Sequence, residues 1–327
     1  MSKIYKLSLK LNSGLLSELQ SDTIFGHFCW RLKETLGEEK LTEFLNLYLS
    51  GNPVFTLSDG ILEMENELFF PKPLLQAPYK IGPKNKHDRI KNFLEQKESK
   101  DKKFITIQQL NLYLNDQLDK YQISFVDDYH SKLKYPSFTT DIRVNVQIDR
   151  ENLSASDGQL FSTSPMYIKD GTTVAVLIKV IDEKYFTDNS FVEVLKSVFA
   201  IGYGRKKSSG YGSFEIKDYQ VFNLLKEPSE SNGFMILGNY LPANNDKISD
   251  AYYDTNVKYG RLGEEYSHSS NPFKKPILFL TAGSCFFTDE KEEFFGRCTK
   301  KGEISDYKPN VIQFGMPFTL KLISEQL

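Results

Sequence analysis

The stretch Gly202-Tyr-Gly-Arg-Lys-Lys-Ser-Ser-Gly-Tyr-Gly212 decides how the chain is read. It holds four glycines in eleven residues, three adjacent cations (Arg205, Lys206, Lys207) and two hydroxyl donors (Ser208, Ser209). Glycine admits positive φ and close backbone approach, so such a loop is expected to aim successive N–H groups at anions. Tyr203 and Tyr211 flank the cations and are candidates for stacking on bases or ribose. The competing reading is a surface turn with solvated charges. Two familiar phosphate loops are excluded. A P-loop needs Gly-Lys-Ser/Thr, but Lys207-Ser208 follows Lys206. A dinucleotide loop needs a third glycine where Lys207 stands, and both of those loops lead from strand to helix.

Here the order is reversed. Upstream, Ser190–Ile201 predicts a helix with Phe191, Val194, Leu195, Val198 and Phe199 on one face and a Ser190–Glu193 capping box. Downstream, Phe214–Phe222 predicts a strand, and before the helix Val174–Ile181 is a β-branched strand. At the start of the chain Lys3–Leu11 alternates as a half-buried strand. Ser21 and Asp22 offer caps for a helix to Leu36, stopped by Gly37, and a second helix carries Leu41, Phe44, Leu45, Tyr48 and Leu49. Strands follow at Val54–Leu62 and Glu67–Phe70. Lys84–Lys103 is a charged exposed insertion, with a helix after it from Ile107 to Tyr121. Arg143–Gln147 and Phe161–Tyr167 read as a hairpin about a polar tip, Glu151–Gly158.

Up to Phe222 this is an α+β pattern, a split β-α-β of the ferredoxin-like or RRM-like kind. The 327 residues suggest two domains. The first is 1–225, with an insertion at about 71–170 and the glycine-rich loop at 202–212. The second is 226–327, after a Pro/Ser/Asn/Gly linker, with short strands at Phe234–Leu237, Ile277–Leu280, Val311–Phe314 and Phe318–Ile323.

A net charge of −2 argues against a protein that coats nucleic acid over its whole surface, and leaves room for a local basic groove. Cys29, Cys285 and Cys298 are odd in number and lack C-x-x-C spacing, which disfavours a disulfide framework or zinc site and fits a cytoplasmic setting. No apolar run is long enough for a membrane span. His27 lies on the first helix without a triad or metal-ligand spacing. His87 and His130 fall in charged surroundings and His268 in a polar loop. Asp127-Asp128 and Glu264-Glu265 lack a third metal ligand. No metal, cofactor or catalytic constellation is expected.

Five stretches carry a resemblance: Ser21–Trp30, Phe69-Phe-Pro-Lys-Pro73, Asp149-Arg150 through Leu160-Phe161, the loop Gly202–Gly212, and Lys258-Tyr-Gly-Arg-Leu-Gly263 followed by Asn271–Pro276 and Ala282-Gly-Ser284. In order and spacing they resemble the subunit-four family of the type III-A CRISPR effector, the Csm complex, within the RAMP superfamily. The chain departs from that pattern before Asp149, where Val144-Asn145 stands in place of a histidine–asparagine pair. The resemblance implies two RRM-like domains and a non-catalytic RNA-binding subunit. It implies binding of the 5′ tag of CRISPR RNA, with the target RNA nearby, and contacts to the large polymerase/HD-domain subunit and a backbone RAMP subunit. The expected RNA contacts are the loop residues Gly202 to Gly212, with His27, Arg143, Asn145, Arg150, Lys258 and Arg261, and Leu153 wedged against a base at the tip. The alternative is a metal-independent CRISPR RNA-processing endoribonuclease with His27 as its base.

Overall fold

The computed structural model describes residues 2–74, 90, 103–117, 138–149, 151, 154–187 and 189–324, and for 147, 149 and 154–159 the backbone alone. The first strand, β1 (Ile4–Leu11), leads into α1 (Ser21–Leu36) and α2 (Glu38–Leu49). Short strands β2 (Phe55–Leu57), β3 (Ile61–Met64), β4 (Glu67–Pro71) and β5 (Phe104–Thr106) precede α3 (Ile107–Leu114). A second group follows: β6 (Phe138–Thr140), β7 (Arg143–Asp149), β8 (Ser154–Thr163), β9 (Met166–Ile168) and the long β10 (Thr172–Val180). Then come α4 (Ser190–Ala200), the glycine loop and β11 (Phe214–Val221). The remaining strands are β12 (Gly233–Ile236), β13 (Asp250–Tyr252), β14 (Thr255–Lys258), β15 (Ile277–Leu280), β16 (Cys285–Phe287) and β17 (Thr319–Leu322).

The main sheet runs β11-β1-β10-β3-β4-β5, with β2 also on β10. Its central strand explains its own composition. Val174, Val176 and Ile178 pack on one face with Phe25, Phe28, Phe44, Phe191 and Phe199 of the helices. Ala175 and Leu177 pack on the other with Met235, Cys285 and Leu320 of a four-stranded sheet, β13-β16-β12-β17, and with Phe318 just before β17. A strand covered on both faces reads as a continuous apolar run rather than an alternation. The layers are therefore helices, main sheet and smaller sheet. Phe234, Ile236, Tyr240, Phe286 and Phe295 form a separate cluster in the smaller sheet.

Several local expectations are corrected. Ser21 and Asp22 lie inside α1, whose N-cap is Gln20 with no side-chain bond of its own. The distant Asp59 carboxylate accepts from the Ser21 amide at 2.7 Å instead, a tertiary substitute for a local cap. The N-cap of α4 is Asn189 in the left-handed region, and its own side chain makes no capping bond. The Ser190–Glu193 box does not form because Ser190 is already helical. No strand forms at Val311–Phe314, and β5, β6, β13, β14 and β16 stand where the sequence gives no strand expectation. The hairpin is present as β7 paired with β8, but β8 begins at Ser154, so most of the expected tip is strand. The stretches Lys84–Lys103 (save Ile90 and Lys103) and Leu118–Tyr121, with His87, Asp127, Asp128 and His130, lie outside the described residues.

Candidate nucleic-acid interface

The glycine loop folds back on itself and onto α1. Gly202, Gly204, Gly210 and Gly212 all have positive φ, as does Lys206 at 56°. A Cβ at Gly212 would stand 1.9 Å from the Tyr203 carbonyl oxygen. That approach lets the Tyr203 amide donate to Gly212 O at 2.8 Å, while the Gly212 amide reaches Gly14 O at 2.9 Å. The Gly204 amide donates to His27 Nε2 at 3.1 Å and the Arg205 amide to Ser17 Oγ at 3.0 Å. Most of the amides expected to cradle an anion thus bind the protein itself. Those of Lys206, Lys207 and Ser208 are left without an acceptor among the described residues.

Tyr203 does not stack on RNA: its ring is 0% exposed, packed among Phe199, Phe214 and His27. Its hydroxyl donates to Glu18 O and accepts from the Gln20 amide. The sequence shows an aromatic beside cations, and only the fold reveals that it faces inward. Tyr211 stays half-buried at the surface.

An open groove of about 1030 Å³ runs from this loop to the Lys258–Lys275 region. Its lining brings together His27, Gly204, Arg205, Lys206, Lys207, Ser208, Lys258 and Arg261, all singled out from sequence. Gly202, Tyr203, Ser209, Gly210, Tyr211 and Gly212 lie outside it. Lys274 and Lys275 also line it; they sit in the Asn271–Pro276 signature and were given no role. Seven basic side chains face three carboxylates, Asp22, Glu264 and Glu265. A chain of net negative charge thereby carries a local positive field.

The cations are not equivalent. An ammonium has three donors, and those of Lys258 are taken by Asp22, Gln20 and Thr23 at 2.7–2.8 Å. Lys258 therefore pins β14 to the start of α1 rather than offering a phosphate contact. Its partner Asp22 has a fully buried side chain and also accepts from Asn239 and Gln313. Lys207 pairs with Glu264, and Lys275 with Asp306 at 2.6 Å. Arg261 donates to Ser267 O at 3.1 Å. The Lys206 ammonium sits 4.3 Å above the Phe161 ring of β8. The exposed Arg205 guanidinium has no partner among the described residues, and Lys274 has one hydrogen-bond acceptor, Gln313 Oε1 at 2.7 Å.

His27 is fixed by the same geometry. Its Nε2 lone pair accepts the Gly204 amide, so the imidazole is the neutral Nδ1–H form. Burial first, then the Lys207 charge, push its pKa down to about 4. That leaves it no free lone pair to serve as a general base.

On the hairpin, cross-strand register puts Arg143, Asn145, Phe161 and Thr163 on one face. Arg143 sits by Tyr167 and Tyr211, and Asn145 bonds Thr163 Oγ1 at 3.1 Å. The opposite face carries the exposed Val144, Val146 and Leu160. Arg150 and Leu153 lie outside the described residues. Among those described, no cluster of His, Cys, Asp or Glu could hold a metal, and no helix is long and apolar enough to cross a membrane.

A model of the RAMP superfamily matches residues 10–215, well over half of the chain. A relative from Streptococcus thermophilus described as CRISPR system Cms protein Csm4 is 25% identical over 309 residues, covering 88% of this chain and 87% of that protein. Among solved structures, the Csm3–Csm4 subcomplex of the type III-A CRISPR-Cas interference complex holds a chain matched at TM-score 0.63 and 18% identity, over 98% of this chain and 100% of that one. The Csm1–Csm4 cassette in complex with pppApA gives 0.61 and 14%, over 99% of both chains. At those identities the two structures show a shared fold.

Proposed function

The chain belongs to the RAMP superfamily, and on that footing we propose that it is the Csm4-type subunit of a type III-A CRISPR interference complex. In this reading it is a cytoplasmic, non-catalytic RNA-binding subunit that holds the 5′ tag of CRISPR RNA. It joins a large polymerase/HD-domain subunit to a backbone RAMP subunit. The structural relatives support those partners, since they occur with Csm1 and with Csm3. We read 1–225 as a ferredoxin-like domain with an insertion and 226–327 as a second one. The strand order β11-β1-β10-β3, with α1 and α4 as the connecting helices, is that of a split β-α-β.

One observation carries the RNA-binding role. The glycine loop and the C-terminal signature, about sixty residues apart in sequence, line one basic groove in which Arg205 and Lys206 have no carboxylate partner among the described residues. Single-stranded RNA suits an electropositive channel of this kind. The endoribonuclease reading needs His27 as a base, and His27 is engaged by Gly204.

The test is binding of the purified chain to single-stranded RNA carrying the repeat-derived tag, across a salt series and without metal. Binding that weakens steeply with salt, with the RNA left intact, supports the proposal. Site-specific cleavage would establish the nuclease instead. Failure to co-purify with a Csm1-type large subunit would remove the bridging role.

A further inference from the structure

We propose that a small cavity adjoining the groove is a pocket for one nucleobase turned out of the RNA path, and that Lys274 reads its acceptor edge, favouring guanine over adenine. The inference rests on the RNA-binding reading above and adds a base-specific subsite to it.

The cavity, of about 230 Å³, lies between α1, α2 and the loops around Leu262 and Ile312. It is smaller than pockets for drug-sized ligands, which suits a single base. Its walls include Phe25, Leu41, Leu45, Trp30 and Phe314, with the Phe25 and Phe314 rings stacked 4.3 Å apart. Splayed bases of single-stranded RNA are commonly received by such apolar and aromatic surfaces. Trp30, Gly263, Lys274 and Gln313 line both the cavity and the groove, so the two spaces meet at these residues.

The polar chemistry at that junction is one-sided. Both carboxylate oxygens of Asp22 are engaged by Lys258, and Asn239 and Gln313 add further bonds. Gln313 donates to Asp22 and accepts from Lys274. The cation at the junction is the Lys274 ammonium, and among the described residues one of its three donors is used. Burial lowers its pKa to about 8, with Asp22 opposing and Lys258 reinforcing the shift, as expected of a cation short of acceptors. Two adjacent donors fit guanine, whose O6 and N7 both accept. Adenine sets an amino donor beside N7, and that group meets an ammonium.

The experiment uses the full chain and its single tryptophan, Trp30, as a reporter at the junction. Oligo-A RNA is compared with the same RNA carrying one guanosine, moved through each position. Expected are one position that binds about tenfold tighter and a change in Trp30 emission at that position. Inosine, which keeps O6 and N7, should preserve both effects, and 7-deazaguanosine should lose most of them. Lys274→Met should abolish the preference. Leu45→Phe, which fills the cavity from α2, should abolish it with oligo-A binding retained, and it keeps the test alive if the lysine variant misfolds. Equal affinity at every position, with salt-dependent RNA binding intact, overturns the pocket and leaves the groove standing. Absence of RNA binding overturns both.

Discussion

The Gly204 amide meets Nε2 of His27 at 3.1 Å, joining the glycine loop to the middle of α1. A protonated imidazole has no lone pair to accept that bond, so the loop is anchored only while His27 is neutral. Its folded pKa is about 4 against an ordinary 6.5. The unfolded chain therefore takes up this proton first as pH falls, and the stability due to His27 is present above 6.5 and lost between 6.5 and 4. Asp59 acts in the opposite sense, its pKa raised to about 7 by burial, so it adds relative stability as pH falls from 7 through 3.8. His27→Gln isolates the first effect. The melting-temperature gap between wild type and variant should narrow from pH 6.5 to pH 4, and a constant gap would show that His27 does not titrate as described.

Lys258 should behave as a structural lysine. Lys258→Met leaves the buried Asp22 carboxylate without its cation, which costs on the order of 3 kcal/mol. Adding Asp22→Asn should recover part of that loss in urea unfolding. A stable Lys258→Met protein with weakened RNA binding would return Lys258 to the phosphate-binding group.

Arg205→Ala should do the reverse. Its guanidinium is exposed and makes no ion pair among the described residues. The melting temperature should hold, affinity should fall across RNA sequences, and the log–log salt slope should become shallower by about 1. An unchanged slope would place the RNA backbone elsewhere.

Two glycines of the same loop should differ sharply. A Cβ at Gly212 collides with the Tyr203 backbone, whereas at Gly210 nothing lies within 4 Å and only the φ of 85° resists. Gly210→Ala should cost about 1 kcal/mol. Gly212→Ala should cost roughly 3 kcal/mol or more, because backbone must move. Equal costs in urea unfolding would mean that the loop does not close on Tyr203.

Phe161→Ala removes the ring under the Lys206 ammonium. Such an exposed pair is worth about 0.5–1 kcal/mol, too little to alter global stability but enough to loosen β7–β8 from the loop. Faster proteolysis within the hairpin at an unchanged melting temperature is the expected result. Unaltered cleavage would show that the hairpin is held by other contacts.

The sequence by itself determined the elements whose patterns are local. The alternation of Lys3–Leu11, the apolar face of α1 and its Gly37 stop, and the unbroken β-branched run of β10 each encode burial residue by residue. The glycine loop between a helix and a strand was equally legible, as were most of the cations that line the groove. The tertiary structure decided what those residues do. Whether Tyr203 faces RNA or core, whether Lys258 meets a phosphate or Asp22, and whether a loop amide is free or bound to His27 depend on partners far away in the chain. The α1 cap supplied by Asp59 and the donor left over on Lys274 have the same origin. Hydrogen bonds and ion pairs are short-ranged and saturable, so a side chain's remaining capacity is fixed only once the fold has assigned its partners.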